Sequence, residues 1–198
     1  MQDRETNTYW SIMNSSAIKG PLSGSRLTDL PVGIKIQWWD WKKRNPNTRI
    51  LSVAGIEDAE PGYINYFGSV LGFRGITARD KRLADKEPVF AFEFNGKKYA
   101  IAMRAVEGGK QVLIDGISFF FFRPFNADIF YSTLAFFVRN DRFLWKEGSW
   151  STERNQCRFD ISNLKFTGDG PDCPRRAGGY DTFWYTWSLV NTNTELIN

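Results

Sequence analysis

The chain has 198 residues, 42% of them hydrophobic and 16% aromatic, with 26 lysines and arginines against 22 acids for a net charge of +4. That apolar content suffices for a folded core and excludes a disordered chain, and the interspersed signs form no basic stripe, so a nucleic-acid partner is not expected. Histidine is absent and there are two cysteines, which excludes Ser-His-Asp and Cys-His catalysis and any four-cysteine zinc or iron–sulfur site.

Residues 1–31 are polar and turn-rich, with Gly20-Pro21 and Gly24 as breakers and short strands expected at Ala17-Ile18 and Arg26-Leu27. From Val32 to Arg44 the pattern changes. Ile34, Trp38 and Trp41 fall on one stripe of an amphipathic helix, which Asn45-Pro46 ends. Thr48 to Val53 then reads as a strand. Glu57 to Lys86 is a connector with Gly62, Gly68, Gly72 and Gly75, expected to form loops and short strands. Pro88 to Met103 is the clearest hairpin, since alternating residues flank Asn95-Gly96, a type I′ turn signal. Further strands are expected at Gln111 to Ile114, Ile117 to Phe122 and Phe130 to Val138, with tight turns at Asp115-Gly116 and Glu147-Gly148. The apolar run Ile117 to Phe122 stops at Arg123, far short of the roughly 20 residues a spanning helix needs, so no membrane insertion is expected.

One motif occurs twice. Trp38, Trp41, Asn45, Asn47, Thr48 and Ile50 have counterparts, in register and without a gap, at Trp184, Trp187, Asn191, Asn193, Thr194 and Leu196. The shared pattern, W-x2-W-x3-N-x-N-T-x-[I/L], implies an internal duplication. The fold class expected is therefore a β-rich α+β protein with two related strand–helix units. Residues 1–56 would form a partial first repeat, 57–86 a connector and 87–198 the second repeat, packed as one domain. Trp38, Trp41, Trp184 and Trp187 are expected to face the core of two equivalent helices.

Several segments together resemble a bacterial and archaeal family, domain of unknown function 3179. They are Asp3-Arg4-Glu5-Thr6 with Trp10-Ser11, the stretch Ala17 to Gly24, the Trp38 to Ile50 motif, Arg79 to Leu83 with Lys86-Glu87, and the hairpin Glu93 to Ala100. The resemblance implies architecture and no reaction. Where that family often carries a Y-C-P-L-C-G segment, this chain has Phe122-Arg123-Pro124-Phe125-Asn126-Ala127, which removes a redox or metal reading there. The family's chains generally begin before the D-R-E-T segment, so the first repeat is expected to lack its leading half. The chain would then be a fragment, or an oligomer in which a partner supplies the missing strands in trans.

Chemistry here must rest on carboxylates, Lys, Tyr, Cys or a hard cation. The acidic cluster Glu57-Asp58 and Glu60 suits acid–base work or a surface loop. Asp169-Gly170-Pro171-Asp172 lacks the spaced ligands of a calcium loop and reads as a turn, so neither a metal site nor a cofactor is expected. Trp39 and Tyr185, off the helical stripe, together with Tyr63 and Tyr66, are candidates for an exposed aromatic binding face. Arg79, Asp80 and Arg82 could contact an anionic ligand or form a surface ion-pair network. Cys157 and Cys173 enclose a turn-rich stretch. Paired, they imply an oxidising compartment; unpaired, with no secretory leader at the polar N-terminus, the chain reads as cytoplasmic. The leading expectation is a non-catalytic ligand-binding or interaction module. The alternative is a histidine-independent carboxylate hydrolase acting on a glycan, with Asp115 and Glu93 as the candidate catalytic carboxylates.

Overall fold

A computed structural model describes residues 1–12, 15–28, 33–51, 61–154, 156–168 and 172–198. Among them are fourteen strands and three short α-helices. The chain starts with a small antiparallel pair, β1 (Tyr9–Trp10) and β2 (Ala17–Lys19), then α1 (Trp38–Arg44) and α2 (Pro61–Gly68). The rest is built mainly from three four-stranded sheets. The first contains β3 (Pro88–Phe94) and β4 (Lys97–Ala102); the second contains β5 (Lys110–Ile114), β6 (Ile117–Phe122) and β7 (Leu134–Val138). The third is β8 (Phe143–Lys146), β9 (Ser149–Thr152), β10 (Arg158–Asp160) and β11 (Lys165–Thr167). After it β12 (Arg175–Arg176) returns to the second sheet and β13 (Tyr180–Phe183) to the first. The chain ends on α3 (Trp184–Val190) and β14 (Glu195–Ile197), which pairs parallel with β4; every other strand pairing is antiparallel.

The layers follow from side-chain alternation. Phe119 and Phe121 of β6 pack with Phe90, Phe92, Tyr99 and Ile101 of the first sheet. Phe120 and Phe122 point the other way, onto Phe143, Phe159 and Phe166 of the third. A strand covered on both faces reads as a near-continuous apolar run, which is why Phe119 to Phe122 carries no polar alternation. On the outer face of the first sheet, Val89, Ala91 and Ala100 receive Trp184 and Trp187 of α3. Small residues under large indoles let the helix lie close to the sheet.

The hairpin turns are where the sequence puts them. Asn95-Gly96, Asp115-Gly116 and Glu147-Gly148 all have positive φ, the pairing a type I′ turn demands. Cross-strand partners Trp145 and Trp150 then meet edge to face at 5.6 Å between ring centroids.

Four expectations need correction. The first helix starts at Trp38, so Ile34 lies outside it. Residues 48–51 take no strand pairing among the described residues, and the remainder of that predicted strand lies outside them. The connector contains α2 rather than loops and short strands alone; Pro61 at its first position fits a helix start, whereas two glycines hid it. Finally, Trp184 and Trp187 are 0% and 4% exposed, but Trp38 and Trp41 are 45% and 36% exposed. The two helices therefore have unlike surroundings, because α3 has a sheet beneath it and α1 buries none of its residues.

The segment from Asp80 to Glu87 explains how α3 is held. Its first two amides donate to the carbonyls of Glu87 (2.9 Å) and Asp85 (2.8 Å), and the Trp184 indole donates to Asp80 O at 2.7 Å. Helix N-termini leave such donors unsatisfied, and this loop supplies the acceptors. Asp85 is fixed in turn by the Ala78 amide and by Lys81. Cys157 and Cys173 are brought to bonding distance, S–S 2.08 Å, tying the start of β10 to the stretch before β12. No helix among the described residues is long and apolar enough to cross a membrane.

Candidate functional site

The residues singled out from sequence fall at separate places. Trp39 is exposed on α1, its indole donating to Gln37 Oε1 at 2.7 Å. Tyr63 is exposed on α2, while Tyr66, one turn on, turns inward. Its hydroxyl lies 3.0 Å from that of Tyr185, and burial followed by this contact raises the Tyr66 pKa. Tyr185 is buried rather than exposed, wedged against Gly72, where even a methyl group would strike its ring. Asp80 and Arg82 form an ion pair at 2.6 Å, and Arg82 also donates to Thr194 O at 2.7 Å. The pair fastens the last strand, and Arg82 holds the Asp80 carboxyl below its ordinary range. Arg79 is exposed beside it.

Asp115 pairs with Lys97 at 3.2 Å. Glu93 pairs with Lys98 and with Arg26, and Lys98 above all holds its pKa below the ordinary range. A general acid needs the opposite shift. Glu57, Asp58 and Glu60, like Asp169 to Pro171, lie outside the described residues. Among the described residues no cluster of three acidic or thiol ligands is grouped for a metal.

A different site emerges where β13, β12 and the start of β7 converge. A cavity of about 490 Å³ opens there, with Phe90, Ala135 and Ala177 as apolar lining and Lys35, Thr133, Arg176 and Asp181 as polar lining. The volume is in the range of small-molecule sites. Gly179 helps keep it open: its φ of +151° and a Phe90 ring 2.4 Å from any added Cβ make a side chain there costly. An adjoining apolar recess of about 330 Å³, lined by Phe67, Pro88, Met103, Phe130 and Phe183, shares Lys35 and Asp181 as its wall.

The polar groups of this cavity are unusual in what they lack. Buried polar atoms nearly always find a partner, and leaving one unmet costs about 1–3 kcal/mol. Among the described residues, the buried side-chain atoms without one are Thr133 Oγ1, Arg176 Nε and Asp181 Oδ1. All three belong to residues lining this one cavity. The other oxygen of Asp181 accepts the Thr133 amide at 3.0 Å and lies 3.6 Å from Lys35 Nζ. Its side chain is only 2% exposed. Burial raises the Asp181 pKa, against the opposing pull of the Thr133 amide, Lys35, the nearby Thr133 hydroxyl and Arg123; that hydroxyl faces the carboxylate without reaching full hydrogen-bond geometry. Burial likewise lowers the Arg176 pKa, and its guanidinium rests 5.3 Å from the Phe136 ring centroid. Arg123 is turned to the carbonyls of Ala127, Asp128 and Tyr131, to which it donates.

None of these residues stood out in sequence. Arg176 belongs to an Arg-Arg pair before Gly178-Gly179, and Asp181 precedes the second tryptophan motif by three residues. Each reads alone as a surface polar residue. Thr133 and Asp181, 48 positions apart, are joined only when β13 and the β6–β7 connection meet.

Because the Asp181 pKa is raised, the folded chain keeps this proton at a pH where the unfolded chain has released it. The associated stability is complete at acid pH and is lost as pH rises through the raised value. Asp181→Asn should therefore be the more stable protein at pH 7 and lose that advantage below the ordinary carboxylate range. Denaturant titrations of both proteins across pH check this; a variant less stable at pH 7 contradicts it.

In class, then, this is a β-rich α+β protein of stacked sheets with one helix-covered face and a polar cavity between strands of two sheets. The chain belongs to a defined family: the profile described as "Protein of unknown function (DUF3179)" matches residues 1–194. Neither a curated protein nor a solved structure matches it.

Proposed function

We infer that the protein is a non-catalytic binding module for a small bifunctional acid, one with an oxyanion beside a hydroxyl or amine and an apolar remainder. The observation that carries this is the convergence of three partnerless buried polar atoms on one cavity. Arg176 Nε is a donor suited to an oxyanion, Asp181 Oδ1 an acceptor suited to a hydroxyl or ammonium, and the Thr133 hydroxyl can serve either. The apolar recess beyond Lys35 and Asp181 would receive the remainder. The glycan-hydrolase alternative is less well supported. Glycoside hydrolysis ordinarily uses two carboxyl groups, and the described residues lining this cavity include one.

Calorimetric titration of the purified chain against apolar amino acids, hydroxy acids, simple carboxylates and neutral sugars tests the proposal. Bifunctional acids should bind, and Arg176→Gln should weaken them by roughly 10- to 100-fold, the worth of one charge-assisted hydrogen bond. Binding of neutral sugars alone, or acid binding indifferent to Arg176→Gln, would refute it. The two W-x2-W stretches are read as copies of one unit. Their repeated indole–threonine bonds support this, and the different cover of the two helices limits it.

A further inference from the structure

The polar cavity and the apolar recess meet at a wall made by Lys35 and Asp181, which a ligand occupying both must pass. Lys35 is pinned at that wall by its backbone. Its amide donates to Ser132 Oγ at 2.6 Å, and its carbonyl accepts the Ser132 amide at 3.0 Å. The lysine side chain stays half exposed, with Nζ 3.6 Å from Asp181 Oδ2, so Oδ1 alone is left for a ligand.

Charge narrows what fits. The described lining carries two cations, Lys35 and Arg176, against one carboxylate, Asp181. A hydroxy acid adds one negative charge and a neutral hydroxyl, and the total is zero. An amino acid of the same shape adds an ammonium as well. On Asp181 Oδ1 that ammonium would share one carboxylate with Lys35 and leave the site positive. Beside a carboxylate that is itself 2% exposed, an unbalanced charge is costly. Protonating Asp181 shifts both totals equally, so the order of the two ligands is unchanged.

The recess walls narrow it further. Phe67 and Phe130 stand edge to face with ring centroids 5.3 Å apart, and Phe183 lies 6.5 Å from Phe67, with Met103 beside them. Phe67 and Phe130 are nevertheless 38% and 51% exposed. Rings and thioethers of this kind favour a further ring against them. A cavity of about 150 Å³ already holds benzene, so a recess of about 330 Å³ takes a substituted or fused ring. A methyl group would leave most of it empty.

We propose that the ligand is a 2-hydroxy acid with an aromatic side chain, its carboxylate on Arg176, its hydroxyl on Asp181 and its ring among Phe67, Phe130 and Phe183. This rests on the binding reading above and narrows it to one chemical class.

The test is calorimetric titration of the full chain with a matched set: 3-phenyllactate, lactate, 3-phenylpropionate and phenylalanine. Phenyllactate should bind roughly 10- to 100-fold more tightly than lactate, which lacks the ring. It should bind roughly tenfold more tightly than phenylpropionate, which lacks the hydroxyl, and than phenylalanine, which replaces it with an ammonium. Phe130→Ala should shrink the phenyllactate-to-lactate ratio, and Lys35→Met the phenyllactate-to-phenylalanine ratio. Both side chains are half exposed, so both variants should still fold. Lactate as tight as phenyllactate, with both weakened by Arg176→Gln, would overturn the aromatic assignment and leave the bifunctional-acid reading standing. Phenylalanine as tight as phenyllactate would overturn the hydroxyl assignment in the same way. Ratios unmoved by both variants would overturn the placement, and no binding by any of the four would overturn this proposal and that reading together.

Discussion

Trp187→Ala is expected to cost about 3–5 kcal/mol of unfolding free energy, as for a buried aromatic cut back to its Cβ. Trp41→Ala is expected to cost about 1 kcal/mol or less. The comparison is informative because both indoles make the same bond to a threonine hydroxyl seven residues on, at 2.8 and 2.9 Å. Local wiring is thus nearly constant between the two sites, and burial is what differs. Trp187 is 4% exposed on the first sheet and Trp41 is 36% exposed. Removing Trp187 empties space between α3 and small residues that cannot expand to fill it, namely Ala91 and Ala100. Denaturant titration at constant m-value measures both losses. Equal losses would mean that the α1 face is packed in solution.

Cys157→Ala is expected to cost about 3 kcal/mol under oxidising conditions, the chain-entropy value for a loop of this length. The bridged residues are 16 positions apart. Without the bridge the turn-rich stretch between them would gain freedom in the unfolded state, and β10 would lose its tether to the strand entering the second sheet. Cys157 is fully buried within the cluster of Phe120, Phe136, Phe159 and Phe166, so the substitution also leaves a small void. Reductant should lower the parent's midpoint by a comparable amount and leave Cys157→Ala unchanged. A parent midpoint indifferent to reductant would show that the two thiols are unbridged in solution.

Much of the local structure was legible in the sequence. Asn95-Gly96 and Asp115-Gly116 fixed hairpins because few other pairs hold two successive positive φ angles cheaply. The stretch Ile117 to Phe122 read as a strand, and the structure explains its apolar character, since a middle layer has no wet side. The end of each tryptophan helix was visible too, in an asparagine whose amide returns to the helix.

What failed depended on distance. Tyr185 read as exposed because it lies off the Trp184–Trp187 stripe, yet Gly72 and Tyr66 close over it from more than a hundred positions earlier in the chain. Trp38 and Trp41 read as core because helical spacing reports a face and not what covers it. The candidate cavity was hidden for the same reason. Thr133, Arg176 and Asp181 are ordinary polar residues until two sheets bring them together with one polar atom of each left unmet. By itself the sequence determined turns, strand faces and helix ends, since short-range sterics and side-chain periodicity decide those. Only the tertiary structure decided burial and the polar cavity, because each depends on which distant strands meet.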